Sequence, residues 1–394
     1  MYLAKAFMTP LRLAILTDYP DEGWPSMDLC ADMLLAHLPR TGPCAVAPEP
    51  VCPPFRRLFT HLPVAGRRQV AFNIDRLINR FIHFPRYAHR QTPRFDLFHV
   101  ADHTYAQLVH ALPRGRVGVY CHDIDAFLCL IDPARYPRPR WFRALARRIL
   151  TGLQKAAVVF HSTGSVREQI TRHGLIDPGK LVHAPFGVAA EFTSPAAPAP
   201  QPSWLSRLGG RPWVLHVGSC ISRKRIDVLL DVIVGVRKAV PGVRLVKVDG
   251  EWSAGHREQI DRLGLGDAII HARGVPRAEL ADAYRRAGAV LVPSEAEGFG
   301  LPVIEALACG AAVVASDLPA LREVGGPAAV YAPVADVPVW AELVARVLTD
   351  PAAAPPRADR LAWAGRYSWA AHAETIAAAY HRLLEAHPCV GSPV

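Results

Sequence analysis

Two glutamates stand eight positions apart in an apolar, alanine-rich segment, "LVPSEAEGFGLPVIEALACGAAVVAS". Glu297 lies directly before Gly298, Phe299 and Gly300, and Glu305 lies in the short helix that is predicted to follow. A buried strand and helix require neither carboxylate. Carboxylates accept hydrogen bonds from hydroxyl groups, and glycines allow a ligand to approach the backbone closely. The pattern therefore indicates a site for a ligand that carries hydroxyl groups.

An anion is expected between the two carboxylates. Pro302 suits the first turn of a helix, because the N–H group that proline lacks has no intrahelical partner there. The backbone N–H groups of residues 301–304 are predicted to face an anion at the helix N-terminus. This outline matches a nucleotide sugar, with the ribose at Glu305, the diphosphate at the helix and the hexose at Glu297. Taken alone, two glutamates at this spacing also arise by chance.

A parallel α/β sheet is expected to position these residues. Short apolar runs alternate with helical patterns in both halves of the chain, which is typical of doubly wound sheets. The predicted strands of the first half are "LRLAIL", "DLFHV", "VGVYCHD", "AAVVFHS" and "KLVHAPFG", and those of the second half are "PWVLHVGS", "VRLVKVDG", "AIIHARG", "AVLVPS" and "AAVVAS". Ligands of such sheets bind beyond the carboxyl ends of the strands, where the loop at 295–301 begins.

The composition indicates a globular protein of two domains. The chain has 394 residues, of which 51% are hydrophobic and 20% charged, and its mean hydropathy is +0.12. The Pro/Ala-rich segment 193–204 is predicted to be a linker between domains at 1–192 and 205–365. No apolar run reaches the ~18 residues of a spanning helix, and no signal peptide is recognisable, so we expect a cytoplasmic protein. The eight cysteines form no CxxC pair, which argues against a disulfide framework or a zinc site.

The segment "PSEAEGFGLPVIEALACGAAVVASDLPALREVGG" resembles the signature of the family 4 retaining glycosyltransferases. The segments "VLHVGSCISRKRIDVLLDV", "GVPRAELADAYRRAGAVLVPS" and "AAVVFHSTGSVREQI" resemble other parts of this family. The resemblance covers roughly the second half of the chain and residues 156–188, and it is loose over residues 1–120. It implies an α/β fold of the GT-B type, in which two facing Rossmann-like domains enclose a donor and acceptor cleft. The family usually ends with a helix that crosses back to the first domain, here within 366–394.

The resemblance also implies roles for individual residues. Arg223 and Lys224 would bind the diphosphate and stabilise the leaving group, without a metal or another cofactor. The alternative is that they form an exposed basic pair at the start of a helix. Val275, in "HARGVP", would lie against the nucleotide base. The full set of expected donor-binding residues is Gly23, Gly218, Arg223, Lys224, Val275, Glu297, Phe299, Gly300, Leu301 and Glu305.

Two positions in the first half depend on the resemblance alone. His122, in "GVYCHDIDAF", aligns with a histidine that contacts the transferred sugar, so the expected catalytic residues are His122, Glu297, Arg223 and Lys224. With 17 histidines in the chain, a structural histidine is the alternative. Gly23 is the one glycine in "DYPDEGWPSM", where the family has a glycine-rich loop. The spacing of four other polar residues fits no standard metal site, so we predict no metal. These residues are His99, Asp102, His103 and His161.

The predicted activity is transfer of a hexosyl unit from a nucleotide diphosphate sugar to an acceptor hydroxyl, with retention of configuration. Two alternatives share the donor site: a non-hydrolysing sugar-nucleotide epimerase and a non-catalytic nucleotide-sugar-binding protein. An NAD-dependent oxidoreductase is disfavoured, because no G-x-G-x-x-G follows the first strand of either domain.

The uneven charge of the chain bears on the acceptor. Residues 1–200 hold 24 Lys and Arg against 15 Asp and Glu, whereas residues 201–394 hold 21 against 20. Nine arginines and one acidic residue fall within 55–95, and six arginines, a tryptophan and no acidic residue fall within 134–150. Apolar side chains flanked by cations are typical of interfacial helices. We therefore expect the protein to associate with the anionic inner face of a membrane. We expect the acceptor to be a lipid-linked or envelope saccharide. A solvated basic face is the alternative, and no nucleic-acid-binding module is recognisable.

Overall fold

The computed structural model describes residues 10–40, 45–61, 68–193 and 204–386, which divide into two compact units. The first unit extends to Pro185 and also contains the chain from Trp369 onward, and the second extends from Phe186 to Ser368. Apart from its two end residues, the predicted linker at 193–204 lies outside the described residues.

The first unit is built on a parallel sheet. Its described strands follow the order β2-β1-β3-β4-β5-β6: β1 (Leu11–Leu16), β2 (Val46–Val51), β3 (Leu97–Val100), β4 (Val117–Cys121), β5 (Val158–His161) and β6 (Leu181–His183). The central strands are buried along their whole length, as expected for a sheet covered on both faces. The helices that precede residue 186 are α1 (Pro25–His37), α2 (Arg68–Ile78), α3 (Phe84–Gln91), α4 (Leu128–Ile131), α5 (Arg140–Lys155) and α6 (Gly164–Arg172).

The second unit is built on another parallel sheet. Its described strands follow the order β12-β11-β10-β7-β8-β9: β7 (Trp213–Val217), β8 (Arg244–Val248), β9 (Ile269–Ala272), β10 (Ala289–Val292), β11 (Val313–Ser316) and β12 (Val330–Ala332). Its helices are α7 (Ala190–Thr193), α8 (Ile226–Ala239), α9 (Ala254–Arg262), α10 (Arg277–Arg286), α11 (Leu301–Ala308), α12 (Pro319–Gly325), α13 (Val337–Thr349) and α14 (Arg357–Ala364). Buried Val, Leu and Ile side chains of α8, β7 and β8 form much of its core.

The boundary between the units lies at Pro185 rather than at residue 192, where the sequence analysis had set it. Val188 forms a parallel bridge with Ser368, and the guanidinium of Arg285 in α10 donates to the carbonyl oxygen of Glu191 at 2.8 Å. Residues 186–193 therefore pack on the second sheet. A Pro/Ala-rich composition does not show to which core the preceding residues belong.

The last helix, α15 (Trp369–Ala386), belongs to the first unit. Its fully buried Tyr380 places its hydroxyl 2.9 Å from Nδ1 of His99 and 3.2 Å from the carbonyl oxygen of Phe98. A side chain at Gly118 in β4 would collide with the same hydroxyl group, so the strand carries glycine where the helix crosses it. The end of the described chain thus completes the first core.

Each sheet has a point at which the strand order reverses. In the first sheet β1 lies between β2 and β3, and in the second sheet β7 lies between β8 and β10. Loops that leave the carboxyl ends of the two strands at such a switch point diverge and open a crevice for ligands. The loops after β7 and β10, and those after β1 and β3, are therefore the places where a site is expected.

Candidate functional site

The loops after β7 and β10 are joined by one backbone hydrogen bond and one hydrogen bond from a side chain. The N–H group of Glu295 donates to the carbonyl oxygen of Arg223 at 2.8 Å, and Nη1 of Arg223 donates to the carbonyl oxygen of Ala296 at 3.1 Å. Arg223 and Lys224 lie in a short 3-10 turn, Ser222–Lys224, that precedes α8. The sheet order thus brings this basic pair next to the loop that holds Glu297, 73 and 74 residues further along the chain.

Glu297 is a buried carboxylate that is held ionised by cations. Its side chain is 5% exposed, and Oε1 lies 2.5 Å from Nζ of Lys224 and 2.7 Å from Oγ of Ser294. Oε2 lies 3.3 Å from Nη1 of Arg223. Burial by itself raises the pKa of Glu297, but Lys224 and Arg223 outweigh it and hold the pKa below its usual value. The structure therefore brings together three of the four predicted catalytic residues.

Arg225 fixes the turn that carries the basic pair. Its backbone is left-handed, with φ of 47°, which is uncommon for a residue other than glycine. The guanidinium compensates by pairing with Asp227 at 2.8 Å and with Glu295 at 3.2 Å. The sequence analysis missed this role, because the run "RKR" does not show which arginine points back to the turn.

Gly300 opens the helix that follows Glu297. It caps α11 with φ of 96°, and an added Cβ would lie 2.6 Å from the side chain of Leu321, so both the backbone and the space require glycine. The ring of Phe299 packs edge-on against Phe186 and Tyr367. Since its side chain is buried in this cluster, Phe299 has only its backbone left for a ligand.

The prediction of a row of free N–H groups at residues 301–304 is wrong in part. Helix α11 begins at Leu301, as expected from Pro302. Pro302 has no N–H group, and the N–H group of Val303 donates to the carbonyl oxygen of Gly300 at 2.9 Å. The carbonyl oxygen of the N-cap glycine thus engages one of the N–H groups in the first turn. The start of α11 therefore offers fewer N–H donors to an anion than the four residues 301–304 suggest.

Glu305 is neutralised differently from Glu297. It is 8% exposed and accepts one hydrogen bond, from the hydroxyl of Tyr284 at 3.1 Å. Burial raises the pKa of Glu305 to about 7, against the weaker opposing effects of Tyr284 and Arg277. A ligand that donates hydroxyl groups to this carboxylate would favour its ionised form.

The loops after β8 and β9 contact each other next to the strands of the switch point. Val275, predicted to lie against the base, is half-buried between β9 and α10. Oδ1 of Asp249 accepts from the N–H group of Gly274 at 3.0 Å, and the Asp249 carbonyl lies 3.3 Å from Nε2 of His271. These contacts fix the segment next to Val275.

Lys247 is a functional candidate that the sequence analysis missed. It is fully buried in β8, and its ammonium group donates to the carbonyl oxygens of Gly218 at 2.5 Å, of Val248 at 3.0 Å and of Asp249. Burial lowers the pKa of Lys247 to about 8. The contact with Gly218, itself at φ of 140°, ties the loop after β7 to the end of β8. The signal in the sequence was a single lysine inside the apolar strand "RLVKV".

Gly23 and His122 lie in the first unit, whereas the other predicted residues lie in the second. Gly23 ends the 3-10 turn Pro20–Glu22 with φ of 69°. His122 is buried, its Nε2 lies 2.8 Å from the carbonyl oxygen of Ala101, and burial lowers its pKa. The roles of Gly23 and His122 stay predictions. Within the described ranges, no three His, Cys, Asp or Glu side chains are grouped to hold a metal.

Replacing Lys247 with Met tests its role in fixing the loop. We expect the free energy of unfolding to fall by about 2 kcal/mol or more, because the buried carbonyl groups of Gly218, Val248 and Asp249 lose their donor. Affinity for a nucleotide sugar should fall as well. Lys238→Met, at an exposed position of α8, is the matched control. Chemical denaturation and ligand titration measure both effects, and a Lys247→Met protein that equals the unchanged chain in both would contradict the assignment.

Comparison with known proteins identifies a family that matches part of the second unit. Residues 205–366 match the family described as glycosyl transferases group 1. The chain is 36% identical over 234 residues to D-inositol 3-phosphate glycosyltransferase of Segniliparus rotundus, covering 55% of this chain and 50% of that protein. It is 28% identical over 260 residues to O-antigen chain mannosyltransferase B of Escherichia coli, covering 63% and 65%. The chain thus spans about half the length of the first of these relatives and about two thirds of the second.

Solved structures resemble the whole chain in fold. Sucrose-phosphate synthase from Thermosynechococcus elongatus has a TM-score of 0.69 at 19% identity, covering 95% of this chain and 100% of that one. Anabaena Alr3699/HepE in complex with UDP and glucose has a TM-score of 0.70 at 15% identity, covering 94% and 100%. Both comparisons support the predicted GT-B fold, with its two parallel sheets. Residues 205–366 therefore match the group 1 glycosyl transferase family, and the chain as a whole shares the GT-B fold.

Proposed function

We propose that this chain transfers a hexosyl unit from a nucleotide diphosphate sugar to the hydroxyl group of an acceptor, with retention of configuration. The observation that carries the proposal is the cluster of Arg223, Lys224 and Glu297 at the switch point of the second sheet. Two cations next to a buried, ionised carboxylate suit a ligand that combines phosphate groups with sugar hydroxyls.

Glu297 has room for a sugar hydroxyl in this arrangement. An ionised carboxylate offers about four acceptor positions, and Lys224 and Ser294 occupy two of them at Oε1. Arg223 occupies one at Oε2, which leaves a position for a hydroxyl of the donor sugar. Glu305 would accept hydrogen bonds from the ribose hydroxyls. Val275 and the backbone of Phe299, Gly300 and Leu301 would face the base, the sugar and the phosphate, as the family resemblance implies.

A front-face displacement is the mechanism that best suits these groups. Glu297 is engaged by two cations and a hydroxyl, which favours a binding role over that of a nucleophile. In the proposed step, the bond from the anomeric carbon to the acceptor oxygen forms on the face from which the phosphate departs. A phosphate oxygen takes the proton of the acceptor hydroxyl. Arg223 and Lys224 stabilise the negative charge that develops on the leaving diphosphate. The proposed mechanism uses no metal ion for this purpose.

A donor panel followed by product analysis tests this activity. Thermal shift with UDP, GDP, ADP and dTDP sugars should identify one stabilising donor, because ligand binding to the folded state raises the unfolding midpoint. Proton NMR of the product formed with that donor should show the same anomeric configuration as the donor. An inverted product would contradict the mechanism. An epimerised donor in the absence of acceptor would support the epimerase, and binding without turnover would support a non-catalytic protein.

We further propose that the first unit associates with an anionic membrane surface, where the acceptor would be a lipid-linked or envelope saccharide. Helix α5 starts with the exposed Trp141 and Phe142, and Trp141 is 58% exposed. Exposed arginines of the same segment are Arg135, Arg138, Arg140, Arg147 and Arg148. Aromatic side chains flanked by cations are what an interfacial helix presents to acyl chains and headgroups.

A second apolar surface of the first unit supports the same proposal. Val70 and Ile74 point outward from α2, and Val70 is 56% exposed. Leu58 and Phe59, also exposed, precede the helix, and their N–H groups bond to Asp75 in α2. Among the described residues, no helix has the length and apolar character to cross a bilayer. We propose that the association is peripheral, at the cytoplasmic face.

Liposome flotation tests the membrane proposal. The chain should float with vesicles that contain anionic lipid, and binding should weaken as salt screens the arginines. Trp141→Ser and Arg140→Glu should each weaken it, because they remove an apolar and a cationic contact. Arg382→Glu, which makes the same charge change at an exposed position of α15, is the matched control and should have a smaller effect. Failure to float at low salt would contradict the proposal, as would equal effects of the two arginine variants.

A further inference from the structure

The switch point of the first sheet carries a group of polar side chains that the proposed donor site does not use. Asp18 follows β1, Asp102 and His103 follow β3, and Asp123 follows β4. Asp18 is 4% exposed and His103 is 2% exposed. Because β1 and β3 flank the point where strand order reverses, these side chains line the position where a doubly wound sheet binds ligands.

Asp18 and Asp102 form a pair of carboxyl groups. Asp102 accepts hydrogen bonds from the N–H group of Thr104 at 2.8 Å and from its hydroxyl at 2.6 Å. Neither oxygen of Asp18 receives a hydrogen bond from the part of the chain that the structure describes. Burial, with the negative charge of Asp102, raises the pKa of Asp18 well above its usual value. Burial opposes ionisation of Asp102 too, but His103, His122 and Thr104 hold its pKa below the usual value. Of the two carboxyl groups, Asp18 is therefore the one that favours its protonated form.

His103 provides an independent sign of a missing ligand. Its Nδ1 accepts a hydrogen bond from the backbone N–H group of His122 at 3.3 Å and also lies 3.3 Å from Oδ1 of Asp102. Its Nε2 is buried but makes no hydrogen bond within the described residues. The nearest carboxylate oxygen recorded for Nε2 is Oδ1 of Asp123, at 3.6 Å. Buried polar groups are rarely left without hydrogen-bond partners, so we expect a bound ligand to supply the partner of Nε2.

The charges around the pair argue against an anionic ligand. Glu22 is buried and pairs with Arg76 at 2.8 Å and with Arg80 at 3.5 Å. The guanidinium of Arg80 also donates to the carbonyl and the hydroxyl of Thr104, at 2.8 and 2.7 Å. The charge of both arginines is therefore shared with Glu22, although Nε of each makes no hydrogen bond within the described residues. A phosphate placed at Asp18 would face the charge of Asp102, and these arginines would offset it only in part.

We propose that the Asp18–Asp102–His103 cluster binds the hydroxyl groups of a neutral polyol, which is the acceptor of the transferred sugar. Asp102 would accept a hydrogen bond from one ligand hydroxyl, and the protonated carboxyl of Asp18 would donate to a second. Nε2 of His103 would form a hydrogen bond with a further hydroxyl, which can act as donor or acceptor. This inference rests on the proposed function, because it names the class of acceptor for that reaction. It also predicts a difference from relatives named for D-inositol 3-phosphate, since this part of the site suits hydroxyl groups rather than phosphate.

Saturation-transfer NMR on the full chain tests the inference without a donor. The probes are myo-inositol, methyl α-D-mannopyranoside and D-inositol 3-phosphate. At least one neutral probe should bind, and D-inositol 3-phosphate should bind no tighter than myo-inositol. Asp18→Leu should weaken binding by about tenfold or more, because a site built to bond hydroxyl groups loses both oxygens. Its unfolding midpoint should be unchanged or higher, because an unpaired buried carboxyl gives way to an apolar side chain.

A second variant and a control keep the outcomes distinct. His103→Asn removes Nε2 and should give a similar loss, even if Asp18→Leu failed to fold. Glu49→Leu changes an exposed carboxylate of the same unit and should leave polyol binding unchanged. The inference is overturned if neither neutral probe binds, if both site variants bind normally, or if the phosphate probe binds more tightly than myo-inositol. Nucleotide-sugar binding is measured separately, so a failure here leaves the donor site standing.

Discussion

A carboxylate that leaves water must be neutralised, and this constraint accounts for much of the structure. Glu297 is neutralised by Lys224 and Arg223 and keeps a low pKa. Glu305 has no such cation within hydrogen-bonding distance in the described chain and has its pKa raised to about 7. Asp75 needs neither cation nor proton, because the N–H groups of residues 58–60 donate to it at 2.9–3.0 Å. The three buried carboxyl groups are thus accommodated in three ways, by cations, by a raised pKa and by backbone N–H groups.

Buried carboxyl groups lie at the switch point of each sheet, and their surroundings differ between the two units. At the switch point of the second sheet, cations face a carboxylate, which suits a ligand with both phosphate and hydroxyl groups. At the switch point of the first sheet, Asp18 favours its protonated form next to Asp102, and the nearby arginines are already paired with Glu22. The difference in charge suits a negatively charged donor in one unit and a neutral acceptor in the other. The same topology thus supports two kinds of recognition, set by which side chains follow the strands.

The sequence predicted the alternation of strands and helices and the loop that holds Glu297 and Gly300, because these depend on local patterns. It did not predict β2, whose segment "VAPEPV" contains two prolines that are tolerated because the strand lies at the edge of the sheet. Lys247 and the pair of Asp18 and Asp102 were also missed. Their roles depend on which strands become neighbours, and residues 84 positions apart carry no mutual signal in a single sequence. The boundary at Pro185 depends on similar long-range contacts.

The most direct test of this account is the pH dependence of nucleotide-sugar affinity at Glu305. A nucleotide sugar has no phosphate group that titrates near neutrality, so a change of affinity there reports on the protein. In the proposed function, ribose hydroxyls donate to the ionised carboxylate, and the free protein loses that form as the pH falls through about 7. Titration calorimetry should show affinity falling by up to about tenfold per pH unit below 7, and the slope should disappear in Glu305→Gln. Affinity that is independent of pH from 5.5 to 8.5, or an unchanged slope in Glu305→Gln, would contradict the account.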